Sequence, residues 1–328
     1  MISVLLPAYN EEEFIAEAVQ SILDQSHIDF ELIIINNAST DNTLKILESF
    51  NDNRIIIINN EKNYGLSKSL NIGFAKSKGE FIARMDANDI AYPSRFVEQY
   101  NFFSNHPKAV AVFCPVEKIN KDGVSLNRVE GKYIPSEELQ AYLFYKCCFF
   151  HSSVLMRKEF LPIPLYNESN AAEDYELWVR LASKYEFHIL KNVLMKVRDL
   201  PDGLRFQNKC RTDYLQTKFN NLRFLKIYPT EDEKNIHEGL EKKTIIQNLQ
   251  AIEKIKWLDK LYLSNKKYFV YQEPYFTNRL LEHWNGVVNN INQSNIKFII
   301  TYFRSPLKKK AKKPLFRTIK ILFSLFYL

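Results

Sequence analysis

The segment "FIARMDANDIAYPSR", residues 81–95, ends an apolar run with two carboxylates, Asp86 and Asp89. Asn88 stands between them and carries a further oxygen. Mg²⁺ and Mn²⁺ prefer such hard oxygen ligands and usually complete their shell with phosphate oxygens and water. The segment is therefore a candidate divalent-metal site that would stabilise a diphosphate. Asp and Asn also favour turns, so a turn or helix cap is the alternative interpretation.

Two more segments carry groups that could take part in the same chemistry. "NNASTDNT" (36–43) offers amides and hydroxyls that could bind a base and a ribose, although an Asx turn with a helix N-cap explains it equally well. "AAEDYELWVRL" places Glu173 and Asp174 at a helix start, where the helix dipole stabilises acidic side chains. In a cleft, such a carboxylate can also act as a general base on a hydroxyl.

The elements that would position these groups follow from two alternating hydrophobic periods. Continuous apolar runs predict buried strands over 2–9, 30–36, 54–59 and 80–85. Segments with an apolar helical stripe lie between them. This order predicts an α/β fold with a mostly parallel, Rossmann-like sheet flanked by helices. Ligands bind beyond the carboxyl ends of such strands, so the polar residues after the first, second and fourth strands should meet at one edge.

The charge distribution divides the chain. Of the net charge of +7, all lies in residues 305–328, which hold seven Lys or Arg and no acid. The remainder has 38 basic and 38 acidic residues, which argues against a nucleic-acid partner. The pattern predicts an α/β domain over 1–205, a mostly helical C-terminal region over 206–304 and a basic, apolar tail over 305–328.

Taken together, five segments resemble glycosyltransferase family 2, the inverting enzymes with the GT-A fold, of the type that builds bacterial surface polysaccharides. They occur in the family's order over roughly residues 2–200. The segments are "ISVLLPAYNEEEFIAEAVQSILDQS", "NNASTDNT", "NYGLSKSLNIGFAKSKGEFIARMDANDIAYPSR", "HSSVLMRKE" and "EDYELWVRL".

The resemblance implies a role for each matching residue, with a UDP-sugar as donor and Mn²⁺ or Mg²⁺ as cofactor. Asp174 would be the catalytic base that removes a proton from an acceptor hydroxyl. The implied donor contacts are Pro7, Ala8, Tyr9, Asn37, Arg84 and Asp86, with position 37 facing the uracil. The implied metal ligands are Asp86, Asn88 and Asp89. The implied contacts to the acceptor or the phosphates are His151, Glu173 and Arg95, and Arg84 or Arg95 would offset the charge on the diphosphate.

Three departures from the family pattern bear on these roles. Asn36 and Asn37 stand where relatives have aspartates, but an amide can still donate to a uracil carbonyl and accept from its N–H. Asn88 replaces the middle aspartate of the metal motif and so removes one charge. No Q-x-x-R-W motif follows residue 200, which favours the addition of one sugar over processive polymerisation.

The implied activity is transfer of one hexosyl or N-acetylhexosaminyl group to a hydroxyl of a glycan or lipid-linked acceptor. Two alternatives stay open. A nucleotidyltransferase that makes a nucleotide-sugar would use a similar sheet and metal, but it needs a Gly-rich phosphate loop, and "PAYNEEEF" has no glycine. A catalytically weak relative that only binds a sugar nucleotide is the second alternative, because of Asn37 and Asn88.

The tail suggests a place in the cell. Its sequence "KKKAKKPLFRTIKILFSLFYL" combines lysines with an apolar helical stripe, a composition suited to an anionic membrane surface. A C-terminal helix packed on the domain is the alternative. The four cysteines show no CxxC pair, as expected of reduced thiols in a cytosol. We therefore expect a cytoplasmic protein that is peripheral on the cytoplasmic face of the inner membrane.

Overall fold

A computed structural model describes residues 1–200, 208–241, 247–291 and 296–311. The chain forms two compact units. The first comprises Met1–Leu139 and Lys146–Thr217, and the second comprises Gln140–Tyr145 and the chain from Lys218 onward. Six residues, Gln140–Tyr145, thus belong to the second unit although the chain before and after them belongs to the first.

The first unit alternates strands and helices along most of its length. Its elements are β1 (Ile2–Ala8), α1 (Ile15–Leu23), β2 (Phe30–Asn36), α2 (Thr43–Glu48), β3 (Ile55–Asn59), α3 (Leu66–Lys76), β4 (Phe81–Arg84), β5 (Ile90–Ala91), α4 (Arg95–Asn105), β6 (Ala109–Phe113), β7 (Val116–Ile119), β8 (Ser125–Glu130), α5 (Ser136–Leu143), β9 (Leu155–Arg157), α6 (Glu173–Ala182), β10 (Glu186–Ile189), β11 (Met195–Arg198) and α7 (Asn208–Phe224). Helices α5 and α7 each contribute residues to both units.

A seven-stranded sheet with the order β10-β6-β9-β4-β1-β2-β3 forms the centre of this unit. All neighbouring strands are parallel except β9, which runs antiparallel to both β4 and β6. Every residue of β2 is buried, which explains why its centre, residues 32–35, is continuously apolar instead of alternating. The predicted α/β fold with a mostly parallel sheet is confirmed.

The first unit also contains a smaller sheet with the order β5-β11-β7-β8. Strand β5 follows the acidic segment directly, and it pairs antiparallel with β11 through Ala91 opposite Met195. This pairing fixes both ends of the segment 85–89, because β4 holds one end and β5 holds the other. The acidic segment is therefore a short, anchored connection between two sheets.

The second unit is helical, as predicted for the C-terminal region. Its helices are α8 (Glu231–Glu238), α9 (Asn248–Tyr268), α10 (Tyr275–Asn289) and α11 (Ile296–Arg304). Thr230 and Glu233 form a reciprocal capping box that starts α8. The apolar core of this unit includes Phe276, Phe298 and Leu258, together with Phe144 from the inserted segment.

The predicted domain limits meet the structure in two places. The limit at residue 205 falls within 201–207, which lie outside the described residues, and the first unit continues to Thr217. Of the predicted tail, residues 305–311 are described and 312–328 are not. Over the described ranges, none of the helices is both long enough and apolar enough to cross a bilayer.

Candidate active site

The carboxyl ends of β4, β1 and β2 lie side by side, as the sheet order requires. Ala8 pairs with Asn36 across β1 and β2, and Leu5 pairs with Arg84 across β1 and β4. The chain then continues along β1 beyond the strand, because the Met85 N–H donates to the Leu5 carbonyl at 3.1 Å. The predicted convergence of the three polar segments at one sheet edge is therefore what the structure contains.

The segment 36–43 holds the loop that follows β1. The Asn10 N–H donates to Ser39 Oγ at 3.1 Å, and Asn10 Oδ1 accepts from the Thr40 N–H at 2.8 Å. The Glu11 N–H donates to Thr43 Oγ1 at 2.8 Å. Asn10 and Ala38 both adopt left-handed backbone conformations, with φ of 55° and 60°. Such strained residues persist where surrounding bonds fix them, so these hydroxyls and amides build a rigid rim at the edge.

Asn37 is held in a network of asparagines. Its Oδ1 accepts from Asn60 Nδ2 and from the Tyr64 N–H, both at 2.9 Å, and its Nδ2 donates to Asn63 Oδ1 at 2.8 Å. An amide oxygen has two lone pairs, so this one has no capacity left. To accept from a uracil N–H, Asn37 Oδ1 would have to exchange one of these two bonds, and the role of position 37 stays a prediction. One N–H of the amide is still able to donate.

The residues after β1 differ in their access to the edge. Tyr9 is 45% exposed, Pro7 is partly buried and Ala8 is buried. The Ala8 carbonyl accepts from the Asn37 N–H at 2.8 Å. A ligand at this edge could thus contact the ring of Tyr9, whereas the side chain of Ala8 is buried.

The acidic segment presents its carboxylates in two different environments. Asp86 is partly exposed and forms an ion pair with the buried Arg84. Asp89 is buried, and its Oδ1 accepts from the Arg198 N–H at 3.2 Å. Burial, with repulsion from Asp86, raises the pKa of Asp89 to about 7. Within the described part of the chain Asp89 Oδ2 has no hydrogen bond of normal geometry, although the Ser152 hydroxyl lies close enough to the carboxyl to lower its pKa.

A third carboxylate that the sequence did not single out joins this group. Glu11 follows β1, and burial followed by repulsion from Asp86 and Asp89 raises its pKa to about 7. In the sequence Glu11 is one of three consecutive glutamates, so nothing distinguishes it from a solvent-exposed helix start. Only the sheet topology brings it to the two aspartates.

These residues fit a divalent cation in part. Within the described ranges, no group of three His, Cys, Asp or Glu side chains could hold a metal ion. The donor set is nonetheless made of hard oxygens, and the unbonded Oδ2 of Asp89 beside the charge of Asp86 is the arrangement that a cation would relieve. Asn88 is partly exposed next to both. A cation here would need further oxygens, such as those of a diphosphate.

His151 is buried beside the edge in a short helical turn, His151–Ser153. Its Nε2 lies 2.9 Å from the Tyr166 hydroxyl, and its Nδ1 has no hydrogen bond among the described residues. Burial, and next the charge of Arg84, hold the pKa of His151 well below its usual value. The ring is therefore neutral at physiological pH and cannot serve as a cation for phosphates.

Glu173 and Asp174 open helix α6, in which Ala172 is the N-cap residue. Burial, and then the neighbouring charge of Asp174, raise the pKa of Glu173 to about 8. Asp174 Oδ1 accepts from the Tyr175 N–H at 2.6 Å. The Glu173 carboxyl also feels the charges of Arg84 and Asp86, so the start of α6 lies within electrostatic reach of the end of β4. The structure therefore brings these four residues together.

Arg95 lies elsewhere than expected. It is completely buried, and its guanidinium donates to the carbonyls of Arg84 at 2.9 Å and Val154 at 3.2 Å. It also donates to Gln99 Oε1 at 3.2 Å and contacts the sulfur atoms of Met85 and Met195. The expected contact of Arg95 with phosphate or acceptor is therefore wrong. The side chain instead links the end of β4 to the residue that precedes β9.

A groove of about 450 Å³ runs along the flank of α6. Glu176 and Arg180 line it from the helix, and the Arg180 guanidinium donates to both Glu176 oxygens, at 2.9 and 3.1 Å. Tyr166 lines it from the preceding loop and also contacts His151. Glu173 lies one turn before Glu176 on the same helix, but it is not among the residues that line the groove.

The fold has known counterparts. The structure is similar to that of Staphylococcus aureus TarS 1-349 in complex with UDP-GlcNAc, with a TM-score of 0.56 and 17% identity over 99% of this chain and 91% of that one. It is also similar to the mannosyltransferase PcManGT from Pyrobaculum calidifontis in complex with GDP-Man and Mn²⁺, with a TM-score of 0.53 and 15% identity over 98% and 87% of the two chains. The sheet and its flanking helices define the GT-A class of α/β folds.

The sequence comparisons narrow the class to one family. The profile described as "Glycosyl transferase family 2" matches residues 3–161. The uncharacterized glycosyltransferase MJ1057 of Methanocaldococcus jannaschii is 31% identical over 60% of this chain and 70% of its own length. The putative glycosyltransferase EpsE of Bacillus subtilis is 30% identical over 62% and 75%, and the amylovoran biosynthesis glycosyltransferase AmsE of Erwinia amylovora is 30% identical over 60% and 76%. The chain belongs to glycosyltransferase family 2.

Proposed function

We propose that this chain is an inverting, metal-dependent glycosyltransferase that moves one sugar from a UDP-sugar to an acceptor hydroxyl. The observation that carries the proposal is the meeting of Asp86, Arg84, Glu173 and Asp174 at the carboxyl edge of the sheet. These acids come from two distant parts of the chain, the end of β4 and the start of α6. A donor diphosphate on one side and an acceptor hydroxyl on the other would use them both.

In this mechanism Asp174 removes the proton from the acceptor hydroxyl. The two neighbouring carboxyl groups repel each other, and the buried Glu173 has a pKa of about 8. The protonated form of Glu173 is therefore favoured near neutral pH, and we assign the role of the base to Asp174. A carboxylate in this position is a general base, and the hydroxyl oxygen then attacks the anomeric carbon on the face opposite UDP.

The donor side would be held by the ends of β1 and β4. Asp86, Asp89 and the Asn88 side-chain oxygen would hold Mn²⁺ or Mg²⁺, which supplies positive charge for the leaving diphosphate. Arg84 neutralises Asp86 from the buried side and so fixes the direction of its carboxylate. The Mn²⁺ in the similar mannosyltransferase structure supports a divalent cofactor. The UDP-GlcNAc in the similar TarS structure supports a UDP-sugar, and Tyr9 is the exposed ring at which the uridine would lie.

The acceptor would be a glycan or a lipid-linked saccharide in surface polysaccharide synthesis. The amylovoran biosynthesis enzyme among the relatives supports this class. The groove along α6 is lined by hydroxyl, amide and charged side chains, which suits a sugar chain. We further propose that the tail places the enzyme peripherally on the cytoplasmic face of the inner membrane, where lipid-linked acceptors are found. Residues 312–328 of that tail lie outside the described residues.

A panel of UDP-sugars and GDP-mannose, each with Mn²⁺ or with excess chelator, tests the donor and the metal together. We expect one UDP-sugar to raise the melting temperature with Mn²⁺ and to release UDP slowly by hydrolysis. Stabilisation by GDP-mannose alone would replace the donor class. Equal stabilisation in chelator would remove the metal from the proposal.

A second candidate function has support from the asparagines at positions 37 and 88. Asn37 has no free acceptor capacity for a base, and Asn88 lacks a charge, so a catalytically weak binder of sugar nucleotides is also consistent. Such a protein would bind UDP and a UDP-sugar, yet its rate of UDP release would not change on Asp174→Asn. Family membership favours either candidate over synthesis of a nucleotide-sugar.

A further inference from the structure

Helix α11 has an apolar stripe that faces away from the core of the second unit. Its inner side is formed by Phe298, Ile299 and Tyr302, which are at most 7% exposed. Ile296, Ile300 and Phe303 are 65%, 45% and 39% exposed. Their spacing of four and three residues places them on one face of the helix, which we name the outward stripe. A nine-residue helix thus has two apolar faces, of which its own unit covers one.

Basic residues border the outward stripe. Lys297 and Arg304 are exposed on the same helix, and Lys309 and Lys310 follow it. Lys308 Nζ lies 4.1 Å from the centre of the Phe303 ring. No Asp or Glu occurs in the sequence from residue 283 to residue 328. The apolar stripe therefore lies in a surface of a single charge sign.

We propose that the outward stripe docks onto an anionic lipid membrane. Apolar side chains of an interfacial helix enter the acyl boundary, while Lys and Arg beside them meet the negative headgroups. A second copy of this chain is a poor occupant, because two such surfaces would bring like charges together. The inference rests on the contacts of α11 and not on the proposed sugar transfer. It extends the proposed attachment of the tail to an element inside the second unit.

Vesicle binding of the full chain tests the proposal directly. The probe is sedimentation with vesicles of phosphatidylcholine and phosphatidylglycerol in a 7:3 ratio, and with pure phosphatidylcholine. The triple variant Ile296→Ser, Ile300→Ser, Phe303→Ser should lower partitioning into the anionic vesicles by roughly tenfold or more, because three apolar side chains no longer leave water. Lys297→Glu with Arg304→Glu should lower it too and should weaken its dependence on salt.

A matched control separates the stripe from apolar exposure in general. Val124, Val129 and Ile163 in the first unit are 61%, 60% and 88% exposed. Their combined replacement by Ser removes the same number of apolar side chains and should leave vesicle binding unchanged. Equal losses in both triple variants would overturn the assignment to α11. Unchanged binding in the α11 variant would also overturn it, and would leave the tail as the sole attachment.

A second measurement does not depend on the variant losing anything. Phe303→Trp places an indole on the outward stripe, whereas the native Trp178, Trp257 and Trp284 are buried and at most 3% exposed. Brominated lipids should quench the new fluorescence strongly and the native fluorescence weakly. Absence of added quenching would contradict insertion. A full-length dimer that the triple Ser variant converts to a monomer would instead identify a second copy as the occupant.

Discussion

At the scale of single residues, we assign different roles to Glu173 and Asp174, the two acids at the start of α6. Burial and the neighbouring charge of Asp174 favour the protonated form of Glu173, and we assign the role of the base to Asp174. Asp174→Asn removes the base but keeps the shape, and we expect turnover to fall by roughly 10²–10⁴-fold. The affinity for UDP, measured by calorimetry, should change little. Near-normal turnover would transfer the role to Glu173 and invert the assignment.

The raised pKa of Glu173 also predicts a pH dependence of stability. The folded chain binds this proton with a pKa of about 8, compared with an ordinary value of 4.5 for a glutamate. Since the folded state then binds more protons than the unfolded state, the free energy of unfolding should fall as pH rises from about 4.5 to about 8. Glu173→Gln should flatten this fall.

Thermal unfolding between pH 4 and pH 9 measures this effect. Glu48→Gln is the control, because Glu48 is exposed on α2, far along the sequence from α6. It should leave the slope of the wild-type curve intact. An identical slope in Glu173→Gln would show that the burial of Glu173 does not act on its protonation.

Asp89 supplies the prediction for the metal. Its unbonded Oδ2 and raised pKa mean that a divalent cation and a proton compete for the same carboxylate. Asp89→Ala should abolish the effect of Mn²⁺ on UDP affinity, and Asn88→Asp should strengthen it by adding a charge. Titration of UDP in Mn²⁺ and in chelator gives both differences. A Mn²⁺ effect that survives Asp89→Ala would move the cation to Asp86 and Glu11.

At the scale of elements, Arg95 on α4 holds the strand ends on which the site is built. Its guanidinium satisfies the carbonyls of Arg84 and Val154 in a completely buried place. Arg95→Met would remove the guanidinium donors from these buried carbonyls and from Gln99 Oε1, although the Val154 carbonyl would still accept from the Arg84 N–H. We expect a loss of about 2–4 kcal/mol in the free energy of unfolding. Arg54→Met, which breaks a partly exposed pair with Asp52, should cost no more than about 1 kcal/mol.

Denaturant titrations of both variants give the comparison. If Arg95→Met instead keeps its stability and raises only the Michaelis constant for the donor, the residue contacts substrate after all. That result would support the expected contact of Arg95 with phosphate, despite the burial of this side chain in the structure.

The elements were more predictable than the side chains they carry. Strands β1 and β2 are covered on both faces, and a long apolar run has few other uses, so their limits were predicted within one residue. The same rule placed the acidic segment after β4. Glu11 and Tyr166 were missed, because their roles depend on neighbours far away in sequence. Arg95 was misassigned because an arginine near a polar motif usually faces solvent, whereas this one bonds backbone carbonyls in the interior.

At the scale of the whole molecule, the two units cannot be separated by one cut. Residues 140–145 belong to the second unit, and Ala141, Phe144 and Tyr145 are buried in its core. A fragment that ends at Thr217 should therefore expose these side chains, bind a hydrophobic dye and aggregate. Phe144→Ser with Tyr145→Ser should restore solubility to the fragment but destabilise the full chain. A fragment that is monodisperse without these changes would contradict the assignment of 140–145.

The same threading sets an order of events during synthesis. When the ribosome has made residues 140–145, the helices that cover Phe144 and Tyr145 do not yet exist, because that part of the unit begins at Lys218. At elongation speeds of about 5–20 residues per second, these rings remain without their partners for several seconds. The nascent chain thus exposes the rings of Phe144 and Tyr145 while its first unit folds. Pauses in translation shortly after codon 145 would lengthen that exposure, whereas fast decoding up to α9 would shorten it.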